Sequence, residues 1–125
     1  MADDRAFPKW AAAYLYLQAA GVSAWWAMII AAPDSRRPFF ALDDHRLFLM
    51  PDMIVFCILG AITATGVAGN ARWARFTLWA LAGGGLYATA LDFMYAFSTG
   101  IGWHGPAFML PTVIVPGYLC RRTLK

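Results

Sequence analysis

Two aspartates lie inside long apolar stretches of this chain: Asp52 in MPDMIVFCILGAITATGVAG, and Asp92 in LWALAGGGLYATALDFMYAF. A carboxylate at membrane depth costs several kcal/mol of free energy unless it is paired, protonated or hydrated. An acid in such a position is therefore a candidate functional residue by default. The rest of the sequence indicates where these two acids lie.

The composition is typical of an integral membrane protein. Of the 125 residues, 61% are hydrophobic and only 14% are charged, whereas about a quarter of the residues in soluble domains are charged. The net charge of +3 would suggest a nucleic-acid partner in a soluble chain. Here the basic residues lie near predicted helix ends, where membrane topology explains them. We therefore expect a lipid bilayer around the chain and no nucleic acid.

Four apolar segments are predicted to form transmembrane helices, because a span needs about 20 largely apolar residues. They cover about 10–32, 47–69, 73–97 and 106–120. The predicted fold is an all-α integral membrane protein, a single four-helix transmembrane bundle with short loops over residues 1–125. The last segment is short and rich in proline, so a kinked or partly re-entrant helix is the alternative there.

The distribution of basic residues predicts the orientation of the bundle. With four spans, both termini and the second connector share one side, and they hold seven of the ten Lys and Arg residues. The first connector holds the other three, Arg36, Arg37 and Arg46. Because cytoplasmic segments are enriched in Lys and Arg, both termini are expected in the cytoplasm, with the chain in a bacterial inner membrane.

The two aspartates are predicted to share one depth in the membrane. Asp52 follows the outer end of the second helix by about five residues, and Asp92 precedes the outer end of the third by the same number. Both histidines of the chain fall in connectors on that side. The predicted catalytic residues are Asp92, Asp52, Tyr95 and His104, and the predicted ligand-binding residues are Trp25, Trp26, Trp103 and His45. They are expected to line a pocket that opens to water on the outer face.

Structural roles compete with this interpretation. Asp52 could cap a helix, Asp92 could pair with a neighbouring helix, and the histidines could be solvated loop residues. The chain has no closely spaced pair of histidines of the kind that binds metal on a helix, so no metal site is predicted. No sequence motif indicates a particular cofactor, so the cofactor stays unknown at this point.

Small residues predict which helices pack closely. Gly60 and Ala64 of the second helix, and residues 83–85 of the third, would let two helix backbones approach each other in lipid. Gln18 should face the bundle, because lipid offers its amide no partner. Tyr14, one turn away, is its predicted partner.

Three classes of function fit these features. The first is a membrane-embedded enzyme or binding protein for a lipophilic small molecule, such as an isoprenoid, a quinone or a lipid. A carboxyl group in a pocket of low dielectric constant favours its neutral form, so it can donate a proton. The second is a small homo-oligomeric transporter or channel protomer. The third is a structural or accessory subunit of a larger membrane complex. Whether the protein is an enzyme stays open at this point.

The predicted orientation can be measured with single cysteines and a membrane-impermeant thiol reagent applied from outside. A cysteine at Ser35 should react and one at Arg122 should not, because the first connector is expected outside the membrane. The reverse pattern would place both aspartates near the cytoplasmic face.

Overall fold

The computed structural model describes residues 6–123, and every regular element in that range is helical. The prediction of an all-helical chain with four long helices is confirmed. Each helix begins within two residues and ends within three residues of the predicted position. The four helices are α1 (Lys9–Ala31), α2 (His45–Ala68), α3 (Ala74–Thr99) and α4 (His104–Thr123).

Two of these helices, α1 and α2, are long and apolar enough to cross a membrane. The other two have sufficient length, at 26 and 20 residues. Glycines and Asp92 in α3, and prolines and arginines in α4, lower their mean hydropathy. Four spans are thus not established by length and composition. Arg5 and Lys125, which contributed to the predicted orientation, lie outside the described residues.

All four helices nevertheless expose large apolar side chains. On α2 these recur at helical spacing, as Leu47, Met50, Ile54, Ile58 and Ile62. On α3 and α4 they include Phe76, Leu86, Tyr87, Met94, Phe97, Phe108 and Ile114. Soluble monomers rarely expose apolar surface on this scale.

α2 changes its hydrogen-bonding pattern directly after Asp52. Pro51 lies within the helix, where it removes one backbone donor. A π-helical segment, Met53–Leu59, follows and leads into the regular turns of Gly60–Ala68. Short π segments inside α-helices often occur at functional sites. Asp52 is therefore the last residue before an irregular part of the helix.

We call the end of the bundle where α1 and α3 end and α2 and α4 begin the connector end. Asp52 is seven residues from the start of α2, and Asp92 is seven residues from the end of α3. At 1.5 Å per residue both lie roughly 10 Å from the connector end. The two acids share one depth, as the sequence predicts.

The helices pack in the order of the chain. α1 packs on α2, α2 on α3 and α3 most extensively on α4, whereas α1 and α4 make few contacts. Two contacts join α1 to α4 toward the termini. The rings of Trp10 and Tyr118 stack with centroids 6.3 Å apart, and Tyr14 Oη donates a hydrogen bond to Pro111 O at 3.1 Å.

The buried side chains form two clusters. Near the termini, Leu15, Phe56, Leu78, Leu81 and Leu119 belong to a core to which all four helices contribute. Near the connector end, a second cluster joins α1 to the first connector and consists of Trp26, Ile29 and Phe40. The level between these clusters holds the two aspartates.

Consecutive glycines of α3 face different neighbours. A Cβ atom on Gly84 would lie 2.6 Å from Val55 Cγ1 of α2, and one on Gly85 would lie 2.8 Å from Thr112 O of α4. A Cβ on Gly83 would meet nothing within 4 Å. The predicted glycine contact between α2 and α3 is thus made by Gly84. Gly60 lies instead against Ala19 of α1.

This packing predicts different effects for alanine at adjacent positions of α3. Gly85→Ala should lower stability by about 1–3 kcal/mol, because its methyl group would overlap a backbone carbonyl that cannot rotate away. Gly83→Ala should be neutral or stabilising by up to about 1 kcal/mol, since alanine favours helix. Thermal unfolding in one detergent measures both variants. Equal melting temperatures would contradict the close contact of α3 with α4.

Candidate functional site

A cavity of about 440 Å³ lies at the level of the two aspartates. All four helices and both connectors at that end contribute to its walls, which are mainly apolar and aromatic. The lining residues are Tyr14, Leu17, Gln18, Gly21, Val22, Trp25, Phe39, Phe40, Phe48, Asp52, Asp92, Tyr95, Gly102, Gly105, Phe108, Met109, Pro111 and Thr112.

Asp52 forms one wall of this cavity and is only 6% exposed. Its Oδ2 atom accepts a hydrogen bond of 2.9 Å from Trp26 Nε1 of α1. Asp52 is the eighth residue of its helix, so it does not act as a helix cap. The side chain of Trp26 is itself 1% exposed. The pair therefore ties α1 to α2 at the depth of the cavity.

Asp92 faces the same cavity from α3. No group within residues 6–123 donates a hydrogen bond to it, so its predicted structural role as the partner of a neighbouring helix is not seen. Asp92 and Asp52 both line this cavity, so their carboxyl groups share one largely apolar space. A Cβ on Gly105 of α4 would lie 3.2 Å from Asp92 Oδ2. The missing side chain of Gly105 thus leaves room for this carboxyl group.

The side chain of Gln18 of α1 lines the cavity. Both polar atoms of its amide group are inaccessible to solvent and have no hydrogen-bond partner among the described residues. The predicted pair with Tyr14 does not form, because the Tyr14 hydroxyl bonds to Pro111 O instead. A buried amide without a partner costs about 1–3 kcal/mol of stability. A rotation of the Gln18 side chain that turns the amide toward the cavity would let a polar ligand atom pair with it.

The first connector lies across the end of the cavity, where Phe39 and Phe40 form part of the wall. Gly102 donates a backbone hydrogen bond of 3.2 Å to Pro38 O. Gly102 has a φ of +78°, and a Cβ there would lie 2.6 Å from Phe39 O. Only glycine combines this backbone conformation with so close a crossing.

Tyr95 holds the same connector in place. Its hydroxyl donates a hydrogen bond of 2.9 Å to Asp44 Oδ2 and accepts one of 2.7 Å from the Ala41 N–H. The ring of Tyr95 lines the cavity below this point. The sequence analysis expected the pocket to open to water at the connector end, and aromatic side chains of the first connector form part of the cavity wall there.

Exposed residues of the cavity wall on α1 and α4 indicate a lateral route to the cavity between these two helices. Leu17 of α1 and Phe108 of α4 both line the cavity, yet they are 71% and 67% exposed. Gly21 lies one turn from Leu17, and a Cβ there would meet nothing within 4 Å. We call the space between Leu17, Gly21 and Phe108 the lateral opening.

The structure brings four of the eight predicted site residues to the cavity wall: Asp52, Asp92, Tyr95 and Trp25. Trp26 contacts the site through its hydrogen bond to Asp52. His45 is buried beside Phe40, with 6.2 Å between ring centroids, and is not part of the wall.

His104 and Trp103 lie outside the cavity. His104 is exposed, and its ring packs against Phe39 with centroids 5.4 Å apart. Trp103 is also exposed and packs on Phe97 at 4.9 Å. Within residues 6–123, no three His, Cys or Asp side chains are placed to hold a metal ion together.

Comparison with protein-family models, with curated proteins and with solved structures found no match.

A comparison of Trp26 with Trp25, the residue before it in the sequence, tests the hydrogen bond between Trp26 and Asp52. Trp26→Phe should cost about 1–3 kcal/mol more stability than Trp25→Phe, because it leaves a buried carboxyl group without its donor. Trp25 is a matched control, since its Nε1 has no partner among the described residues. In an Asp52→Leu background, Trp26→Phe should cost no more stability than Trp25→Phe does. A cost that persists there would mean that packing, not the hydrogen bond, is responsible.

Proposed function

We propose that this protein is a four-helix membrane protein that binds a lipophilic small molecule in the cavity between its helices. The ligand enters from the bilayer through the lateral opening, and its polar end meets Asp92 and Asp52. The observation that carries the proposal is an apolar cavity that contains two carboxyl groups and an unpaired amide.

The exposed faces of the helices support a bilayer around all four of them. The apolar side chains that α3 and α4 expose would meet water in a soluble protein and acyl chains in a membrane. In this proposal the lower hydropathy of α3 and α4 reflects residues that face the cavity or a neighbouring helix, such as Asp92, Gly85 and Thr112. Both termini are in the cytoplasm of a bacterial cell, and the cavity lies in the outer leaflet.

The size and lining of the cavity suit a small lipophile. Its volume of about 440 Å³ falls within the usual range for small-molecule sites, about 300–1,000 Å³. Such sites combine mainly apolar walls with a few polar groups that fix orientation. Trp25, Phe39, Phe40 and Phe48 supply flat apolar surfaces here, and Asp52, Asp92 and Gln18 supply the polar groups.

The two carboxyl groups have different roles in this proposal. Asp52 is oriented by Trp26 and faces the cavity with a fixed side chain. Asp92 has no donor among the described residues, so it is the group free to bind the polar end of a ligand. A carboxyl group of this kind can also transfer a proton to an alkene or carbonyl group, which would make the protein an enzyme.

A tryptophan placed in the lateral opening tests the proposal. Wild-type protein purified in mild detergent and extracted with organic solvent should release a lipophilic compound in roughly equimolar amount, identified by mass spectrometry. Gly21→Trp should release about tenfold less, because the indole occupies the opening and a lost ligand contact of this size costs about 1.4 kcal/mol or more.

Gly83→Trp is the matched control, since Gly83 also has open space around it but lies outside the cavity. It should release as much compound as wild type. Equal amounts of the same lipophiles from all three proteins would show that they come from the detergent belt. That result would contradict binding in the cavity.

A further inference from the structure

The charges around the cavity restrict the chemistry of a ligand further than its apolar walls do. Asp52 and Asp92 both face the cavity, and no Lys or Arg side chain within residues 6–123 lines it. The nearest basic residue in the first connector, Arg36, donates hydrogen bonds to Ile29 O and Ile30 O at the end of α1. The acids therefore have no cationic partner in the cavity wall.

The polar side-chain atoms in the cavity wall without a partner among the described residues are mostly oxygens, and the two nitrogens among them are Gln18 Nε2 and Trp25 Nε1. Asp52 has one donor, Trp26, and its second oxygen receives no hydrogen bond from the described residues. Asp92 receives none. The Gln18 amide has a free carbonyl oxygen as well as a free NH₂ group. An amine that takes a proton from one of these acids becomes an ammonium group that can donate to both carboxyl groups, whereas a ligand that only accepts hydrogen bonds pairs only with a neutral acid.

A ligand with a cationic head group stabilises the two acids more than one with a neutral hydrogen-bond donor does. An apolar cavity disfavours the ionised form of each acid until a cation lies beside it, and the low dielectric constant then strengthens the attraction between the cation and the carboxylate. A phosphate or carboxylate head would add a negative charge to the same volume. The cavity therefore discriminates by the charge of the head and accepts many kinds of apolar tail.

We infer that the ligand of this cavity is a lipophilic amine, with its ammonium group between Asp52, Asp92 and Gln18 and its apolar part directed toward the lateral opening. This inference rests on the proposed function and names the substrate class of the same site. Leu17 and Phe108 contact the tail where it leaves the cavity, and the aromatic side chains of the first connector cover the opposite end.

The experiment uses three photoactivatable probes that share one dodecyl chain with a diazirine and differ in the head: amine, alcohol or carboxylate. Full-length protein in nanodiscs of phosphatidylcholine is labelled at equal mole fractions of each probe in the lipid. The amine should label the protein at least about tenfold more than the carboxylate, as expected for a charge-assisted hydrogen bond in an apolar site. Labelled peptides should contain Leu17 or Phe108.

Two variants separate this inference from the proposed function. Asp92→Asn should reduce labelling by the amine about tenfold and reduce it more than labelling by the alcohol, because the amide keeps the shape but not the charge. Gly21→Trp should reduce labelling by all three probes, and Gly83→Trp should not.

Equal labelling by the amine and the carboxylate, with Gly21→Trp still blocking both, would overturn the inference of an amine and leave the lipophile site intact. Labelling that Gly21→Trp does not affect would overturn the lipophile site as well. If Asp92→Asn does not fold, the relative labelling of wild-type protein by the three probes is sufficient to test whether the ligand is an amine.

Discussion

The close contact of α3 with both of its neighbours is the constraint on which the rest of this structure depends. Gly84 meets Val55 of α2, and Gly85 meets the backbone of Thr112 in α4. Consecutive residues point about 100° apart around a helix, so two adjacent glycines allow two neighbours to approach. Pro116 has no N–H, so it cannot donate the regular helical hydrogen bond to Thr112 O, four residues earlier.

The opposite side of the bundle lacks such contacts, and the cavity results from this asymmetry. A hydrogen bond from Tyr14 to Pro111 O joins α1 to α4. Nearer the connector end, Leu17 of α1 and Phe108 of α4 remain exposed. The first connector then crosses the end of the bundle and is held by Tyr95. Close packing on one side thus leaves a covered space on the other, which is reached between two helices.

The polar groups in this space reduce stability rather than add to it. A desolvated carboxyl group and an unpaired amide each cost free energy, and only Asp52 has a strong donor in Trp26. Sequences that carry such costs usually do so at functional sites. Asp92 and Gln18 are therefore the residues that a ligand would stabilise most.

Much of this arrangement could be predicted from the sequence, because it depends on helix length and helix rise. Counting residues from the predicted helix ends was enough to place Asp52 and Asp92 at one depth. The same count placed Trp103 and His104 at the connector end but could not give their direction around the bundle, and both lie outside the cavity.

The path of the first connector could not be predicted in this way. It depends on the bond from Tyr95 to Asp44, which joins residues 51 positions apart. For the same reason, Phe39, Phe40 and Phe48 were missed as cavity residues, since nothing in their local sequence separates them from interfacial aromatic residues. Phe108 was missed because a single apolar residue in an apolar helix carries no signal of its own. Gln18 was expected to face the bundle, but its lack of a partner became evident only when Tyr14 was found bonded to Pro111.

A cryo-electron-microscopy structure of the protein in a lipid nanodisc is the most direct test of a ligand-binding cavity that opens between α1 and α4. We expect α1 and α4 to remain apart between Tyr14 and the connector end. Elongated ligand density should extend from Asp92 to the space between Leu17 and Phe108. A bundle in which α1 packs against α4 along its whole length, with Gln18 paired to a residue of α4, would contradict the account.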